Sequence, residues 1–169
     1  MRDDPALLHA AIDDAGTDVI VVSGSWSAGA ADHLHDILDT ERATWHVRGV
    51  ACRPGHPQAL AALPDSRWVI SLPGNPYAGL VAALTLLEPL LCALAGRPAV
   101  PLPTTPVTGT AALTPSGVRI VPVRTDGITA EIIPGTSAAG LHAVAAADGL
   151  AVLPADWTTG SPAITLTPP

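Results

Sequence analysis

Residues 67–95 set the strongest constraint on the fold. The apolar run RWVISL leads into a corner, PGNP, and the corner into a long apolar stretch from Ala78 to Ala95. Pro73 and Pro76 fix φ on either side of Gly74 and Asn75, so the chain must turn there rather than continue as one element. Asn75 is positioned to cap a helix whose first residue is Pro76, a position that needs no N–H partner. Gly74 tolerates φ values barred to other residues and lets a ligand approach the backbone. A capping turn and a platform for an anion at a helix start both satisfy these residues. The helix is expected to run from Pro76 to about Ala95, ended by Gly96 and Pro98.

A strand feeding a helix is the repeating unit of α/β folds, and the segments before residue 67 repeat it. DPALLHAAIDDA has helical spacing at Leu7, Leu8, Ala11 and Ile12, with Asp4 as N-cap and Pro5 in the first turn. DVIVVS (18–23) reads as a strand buried on both faces, SGSWSAG (23–29) as a small-residue turn, and AADHLHDILD (30–39) as a helix. TWHVRGVAC (44–52) and RWVISL (67–72) read as further strands. These elements predict a largely parallel sheet of about three strands, short at its N-terminal side for a doubly wound domain.

Past Arg97 the character changes. RPAVPLPTTPVTGTAALTPSG has no helical period and suits a linker entering short strands. VRIVPVR, TAEIIPG, GLAVLP and AITLTP follow at turn spacing. The expected architecture is an α/β domain over 1–97 followed by a small all-β, barrel-like domain over 98–169, with no internal repeat.

Composition narrows the partners. Of 169 residues, 48% are hydrophobic and 14% charged, which excludes a disordered chain. There is no Lys and the net charge is −7, which argues against nucleic acid or an anionic membrane as partner. Cys52 and Cys92 are too few for a disulfide framework and lack metal-ligand spacing. The N-terminus carries no signal-peptide pattern, and Glu88-Pro89 interrupts the long apolar stretch, so a buried helix is expected rather than a membrane span. The expected setting is the cytoplasm.

Three stretches carry candidate chemistry. Val21 to Asp32, VVSGSWSAGAAD, places glycines between a strand and a helix, where free N–H groups favour an anion. Gly24 and Gly29 have phosphate-loop spacing, but Ala30 replaces the lysine; Ser27 and Gly29 fit a nucleophile elbow, but Ser25 replaces its first glycine. A tight turn without ligand fits as well. In the second stretch, ACRPGHPQAL, Arg53 and His56 project from a stiff loop around Gly55, suiting phosphate or carboxylate recognition or an ordinary surface turn. The PGNP corner is the third. His33 and His35 lie beside Asp32 and Asp36, but i and i+2 diverge on a helix, so a solvated face is expected there rather than a metal site.

Taken in order, these segments resemble the C-terminal half of molybdopterin molybdenumtransferase, the MoeA or gephyrin E-domain family. The motifs are Arg2-Asp3-Asp4-Pro5, Ser23 to Asp32, Gly49 to Pro57, and Leu72 to Pro76, with HAVAAADGLAVLP (142–154) resembling the family's closing segment. The resemblance implies a partial MogA/MoaB-like three-layer domain, an active site at a homodimer interface, and insertion of molybdenum from molybdate into adenylated molybdopterin with release of AMP. It implies Mg²⁺ as cofactor, with Asp3 and Asp32 as the functional carboxylates near the cation. Ser23, Gly24, Ser27, Gly29, Arg53, Gly55, Pro73, Gly74, Asn75 and Pro76 would cradle the substrate, and Arg124 would stand for the family's β-domain arginine. It also implies an upstream portion bearing an Asp-[ST]-Asn motif, so the chain is expected to be N-terminally truncated.

The sequence departs from the family pattern at Ser25, which replaces a glycine, at Arg53 and His56, which replace lysines, and at Ala138, where a serine is expected. These departures leave a second function, a non-catalytic molybdopterin-binding or dimerisation module, beside the transferase. A serine hydrolase using Ser27 is a third.

Overall fold

The computed structural model describes residues 4–24, 33–98, 101–135, 137 and 139–167. The chain forms two compact units, Met1–Val50 with Pro57–Gly74, and Ala51–His56 with Asn75–Pro169.

The first unit is a four-stranded sheet with helices α1 (Pro5–Asp13) and α2 (His33–Thr40). Its strands are β1 (Val19–Ser23), β2 (Thr44–Arg48), β4 (Ala59–Ala62) and β5 (Trp68–Leu72), in the order β1-β5-β4-β2. As the sequence predicts, Asp4 caps α1, its side chain accepting from the Ala6 N–H at 2.9 Å. Ile12 from α1 and Leu34, Ile37 and Leu38 from α2 bury against Ala61, Leu63 and Val69 of the sheet side. Each fully buried Leu or Ile contributes roughly 1.5–3 kcal/mol.

The sheet is mixed rather than largely parallel. Only β1–β5 is parallel; β4 pairs antiparallel with both β5 and β2. The cause is β4 itself, ALAA, which has no β-branched residue and gives almost no strand signal in sequence. It joins β5 through a tight hairpin, closed by Leu63 N–H to Arg67 O at 2.8 Å, and a hairpin forces antiparallel pairing.

The second unit holds β3 (Cys52–Arg53), β6 (Thr104–Thr108), β7 (Val118–Thr125), β8 (Ala130–Ile132), β9 (Gly149–Pro154) and β10 (Pro162–Leu166). The order β7-β8-β6-β10-β9, closed by β9 on β7, makes a five-stranded barrel. Closure removes the open edges that such short strands would otherwise expose. Val107, Val121, Val123, Ile132, Leu153 and Trp157 fill its core. The proline-rich segment, expected to be a linker, also supplies β6. Its Pro106 lies opposite Pro162 of β10, so two residues without N–H donors face each other in the ladder. A short helix, α4 (His142–Ala145), precedes β9.

Helix α3 (Pro76–Leu94) also belongs to this unit and is apolar and long enough to cross a membrane by length and composition. Its residues Tyr77, Ala78, Val81 and Ala82 are buried at helical spacing. The helix widens to a π turn over Ala83–Leu87, just before Pro89. A proline inside a helix cannot donate to the carbonyl four residues back and crowds it, and the wider turn makes room. Tyr77 donates to Ile120 O at 2.9 Å, tying the helix start to β7, and burial pushes its phenol far above the usual range.

At the end of α2, Asp39 accepts from the Trp45 indole at 2.6 Å and from Arg48 at 2.7 Å. The indole first, then the guanidinium, holds its carboxyl below the usual carboxylate range. A depressed folded pKa adds stability above the ordinary value of 3.8 that is lost as pH falls through the folded value. Asp39→Asn should therefore destabilise the fold at neutral pH and flatten its acid unfolding profile below about pH 4, read by circular dichroism against wild type.

Candidate functional site

The first group of site residues sits at the C-terminal ends of two adjacent parallel strands. β1 and β5 run in register from Val19 opposite Trp68 to Ser23 opposite Leu72. The Gly24 N–H then donates to Leu72 O at 3.1 Å and extends the ladder by one bond. Gly24 turns away with φ +81°, a conformation that penalises a side chain. After Leu72, buried Pro73 leads to exposed Gly74. A Cβ on Gly74 would lie 3.2 Å from the Gly24 Cα, so the two backbones run back to back. Gly74 is required for this close approach and not for an unusual φ, which corrects the reason read from sequence. Ser23, Gly24 and Gly74 are all exposed, at the end of parallel strands where open α/β sheets present their ligand sites.

Asn75 occupies the N-cap position of α3, but its side chain makes no capping bond. Its carbonyl accepts from Gly79 N–H at 2.8 Å, and Pro76 at the first turn needs no cap there. The expectation of side-chain capping is corrected, and the exposed Asn75 amide projects from a helix start.

The second group lies in the other unit. Arg53 ends β3, and the chain turns through a cis Pro54 and buried Gly55, whose φ is +107°. β3 pairs in parallel with the start of β7, Cys52 opposite Val118 and Arg53 opposite Arg119. In-register residues of neighbouring strands share a face, so Arg53 and Arg119 leave the sheet on the same side. Neither makes an ion pair with a described residue, and the buried Nε of Arg119 has no hydrogen-bond partner. Like charges placed directly opposite repel, and an oxyanion bound between them removes that cost. Arg119 gives no local signal in sequence, because its place opposite Arg53 follows from the pairing of the two-residue β3 with β7.

Arg124 stands elsewhere, at the far end of β7 opposite Glu131, with Nη2 near Ala146 O at 3.5 Å. Asp3, Ser25, Ser27, Gly29, Asp32 and Ala138 lie outside the described residues, and with them the nucleophile elbow and both carboxylates. His35, considered and set aside as a metal ligand, stacks edge-on against Trp45 with ring centroids 4.8 Å apart.

A family model described as a probable molybdopterin binding domain matches residues 1–93, more than half of the chain. The chain belongs to this family. Among curated proteins it is similar to the molybdopterin molybdenumtransferase of Nostoc sp., 34% identical over 100 residues, covering 57% of this chain and 23% of the relative. The enzyme of the same name from Haemophilus influenzae is 34% identical over 82 residues, covering 47% of this chain and 19% of the relative. The chain therefore spans about a quarter or less of these relatives. Its fold is that of the Pyrococcus horikoshii molybdopterin biosynthesis MoeA protein, with TM-score 0.74 and 15% identity over 97% of this chain and 40% of that one. The Pyrococcus furiosus molybdenum cofactor biosynthesis protein gives TM-score 0.74 and 16% identity over 99% of this chain and 56% of that one. In this MoeA-like chain the family match spans both glycine turns and the Arg53 loop.

The back-to-back glycines predict an ordered loss of stability. Gly24→Ala should cost about 1–2 kcal/mol from its positive φ. Gly74→Ala should cost about 1–3 kcal/mol from overpacking against Gly24. Gly16→Ala, whose Cβ meets nothing within 4 Å, should be near neutral in the same urea titrations.

Proposed function

We propose that this chain acts in molybdenum cofactor biosynthesis, binding adenylated molybdopterin and taking part in insertion of molybdenum from molybdate with release of AMP. The observation that carries this reading is the family match over residues 1–93, which includes the solvent-facing Gly24–Gly74 strand ends. A chain of net charge −7 must localise cations to hold a polyanion, and Arg53 beside Arg119 is such a point. Ser23, Gly24, Gly74 and Asn75 offer backbone and small polar groups to phosphate or pterin; Pro73 and Pro76 stiffen the turn that presents them. In this proposal Ser27, Gly29, Gly55 and Arg124 keep the substrate-binding roles that the resemblance implies.

Asp3 and Asp32 supply the hard oxygen donors that suit Mg²⁺. When bound, the cation would neutralise charge between the carboxylates and the molybdate oxygens. The carboxylates' own work is to fix its position. We further place the reaction in the cytoplasm and in a homodimer, with 1–97 and 98–169 as the two family modules.

A second reading is a module that binds molybdopterin without turnover. Ser25, Arg53 and His56, which stand where the family pattern has a glycine and lysines, favour it. The deciding experiment is molybdate- and Mg²⁺-dependent AMP release from adenylated molybdopterin by the purified chain, alongside a binding titration. Turnover supports the transferase, binding without turnover supports the module, and absence of both binding and turnover overturns both readings. In the same titration Arg53→Gln should weaken binding about tenfold or more, the usual effect of removing a charge-assisted contact to an anion.

A further inference from the structure

Outside the residues assigned above, α1 and the end of α2 gather three side chains of metal-ligand type. His9 and Asp13 are one turn apart on α1, and Glu41 directly follows α2. His9 Nε2 lies 2.7 Å from Glu41 Oε1 and 3.8 Å from Asp13 Oδ2. One donor atom from each residue falls within 4.8 Å of the others. The side chains are 38%, 52% and 35% exposed respectively, so the cluster is open to ions yet not fully solvated.

The backbone beneath the cluster is held independently of it. Ile12, beside Asp13, is 1% exposed in the core with Ile37 and Leu38. Arg67 Nη1 donates to the carbonyls of Ile12 and Ala15 and fixes the end of α1. On the other side, Glu41 N–H donates to Ile37 O at 2.9 Å, and Ala43 N–H to Leu38 O at 2.9 Å, so Glu41 leaves the helix in a defined turn. The donors are thus mounted on two packed elements, and only their side-chain torsions remain adjustable.

The geometry points to a divalent transition-metal site, of the zinc class, formed by His9, Asp13 and Glu41 and joining α1 to α2. Zinc–nitrogen and zinc–oxygen bonds of ~2.0–2.2 Å set tetrahedral donors roughly 3.4 Å apart. The three donors bracket that spacing, and small rotations of Asp13 and Glu41 complete it. One imidazole and two carboxylates balance the +2 charge. The imidazole selects zinc-like ions over Mg²⁺, which prefers oxygen alone. Three protein donors leave the fourth position to water, as at an open zinc site.

The test is calorimetric titration of the full chain with ZnCl2 and, separately, MgCl2 at neutral pH. The expected result is saturable one-to-one zinc binding that His9→Gln and Glu41→Gln each weaken about tenfold or more. Asp13→Asn should weaken it as well, and it serves as the informative variant if either of the others fails to fold by circular dichroism. His142→Gln, at an exposed residue of α4, should leave the zinc affinity unchanged. MgCl2 should neither bind at this site nor compete with zinc. No saturable heat up to about 1 mM ZnCl2 overturns the proposal, as does zinc binding indifferent to the ligand substitutions. No pterin or molybdate enters the experiment, so its failure leaves the proposed function standing, and failure of molybdopterin binding leaves this site standing.

Discussion

The parallel pairing of β1 with β5, carried one residue further by the Gly24 N–H to Leu72 O bond, is the contact on which the candidate chemistry depends. It aligns the ends of two strands so that both turns leave the sheet at the same level. Close approach of Gly74 to Gly24 leaves no room for a side chain at their contact, and Ser23, Gly24 and Gly74 are exposed there. A Cβ at either position either strains the turn or pushes the two apart. The rigid PGNP corner thus has a structural reason that precedes any ligand. It holds one strand end against the other.

In the second unit β7 plays the comparable part. It pairs with β9 along six residues, with β8 at its end and with β3 at its start. That last pairing needs Gly117, because a Cβ there would collide with the Ala51 carbonyl that accepts from Val118 N–H. Through it a two-residue strand delivers Arg53 beside Arg119. Two arginines at opposed positions in a chain of net charge −7 concentrate positive charge that an anion would offset. Tyr77, bonded to Ile120 O, anchors the first turn of α3 to the same strand.

Much of the fold was legible because its signals are local. Pro5 after Asp4, the apolar run 18–23, the corner at 72–76 and the strand GLAVLP all act through their own residues, and each element formed where its pattern predicts. What escaped depended on partners distant in sequence. Ala59–Ala62 is a strand only because β2 and β5 flank it, and β6 survives its proline because Pro162 lies opposite. Of the site, the Gly24 and Gly74 turns were legible as corners, but their mutual contact was not. Arg53 was legible as a donor on a stiff loop, whereas Arg119 beside it required knowledge of the β3–β7 register. Arg124, read as the β-domain arginine, stands opposite Glu131 at the other end of the strand.

In the proposed function, a glycine-lined surface at the ends of β1 and β5 serves a phosphorylated pterin substrate. That account stands on the two glycine backbones being in direct contact in solution. The most direct measurement is an NMR cross-relaxation experiment on uniformly labelled protein, reading the α-protons of Gly24 and Gly74. A strong NOE between them, with the Gly24 amide protected from exchange, is the predicted result. Absence of the NOE together with rapid exchange of that amide would contradict the account.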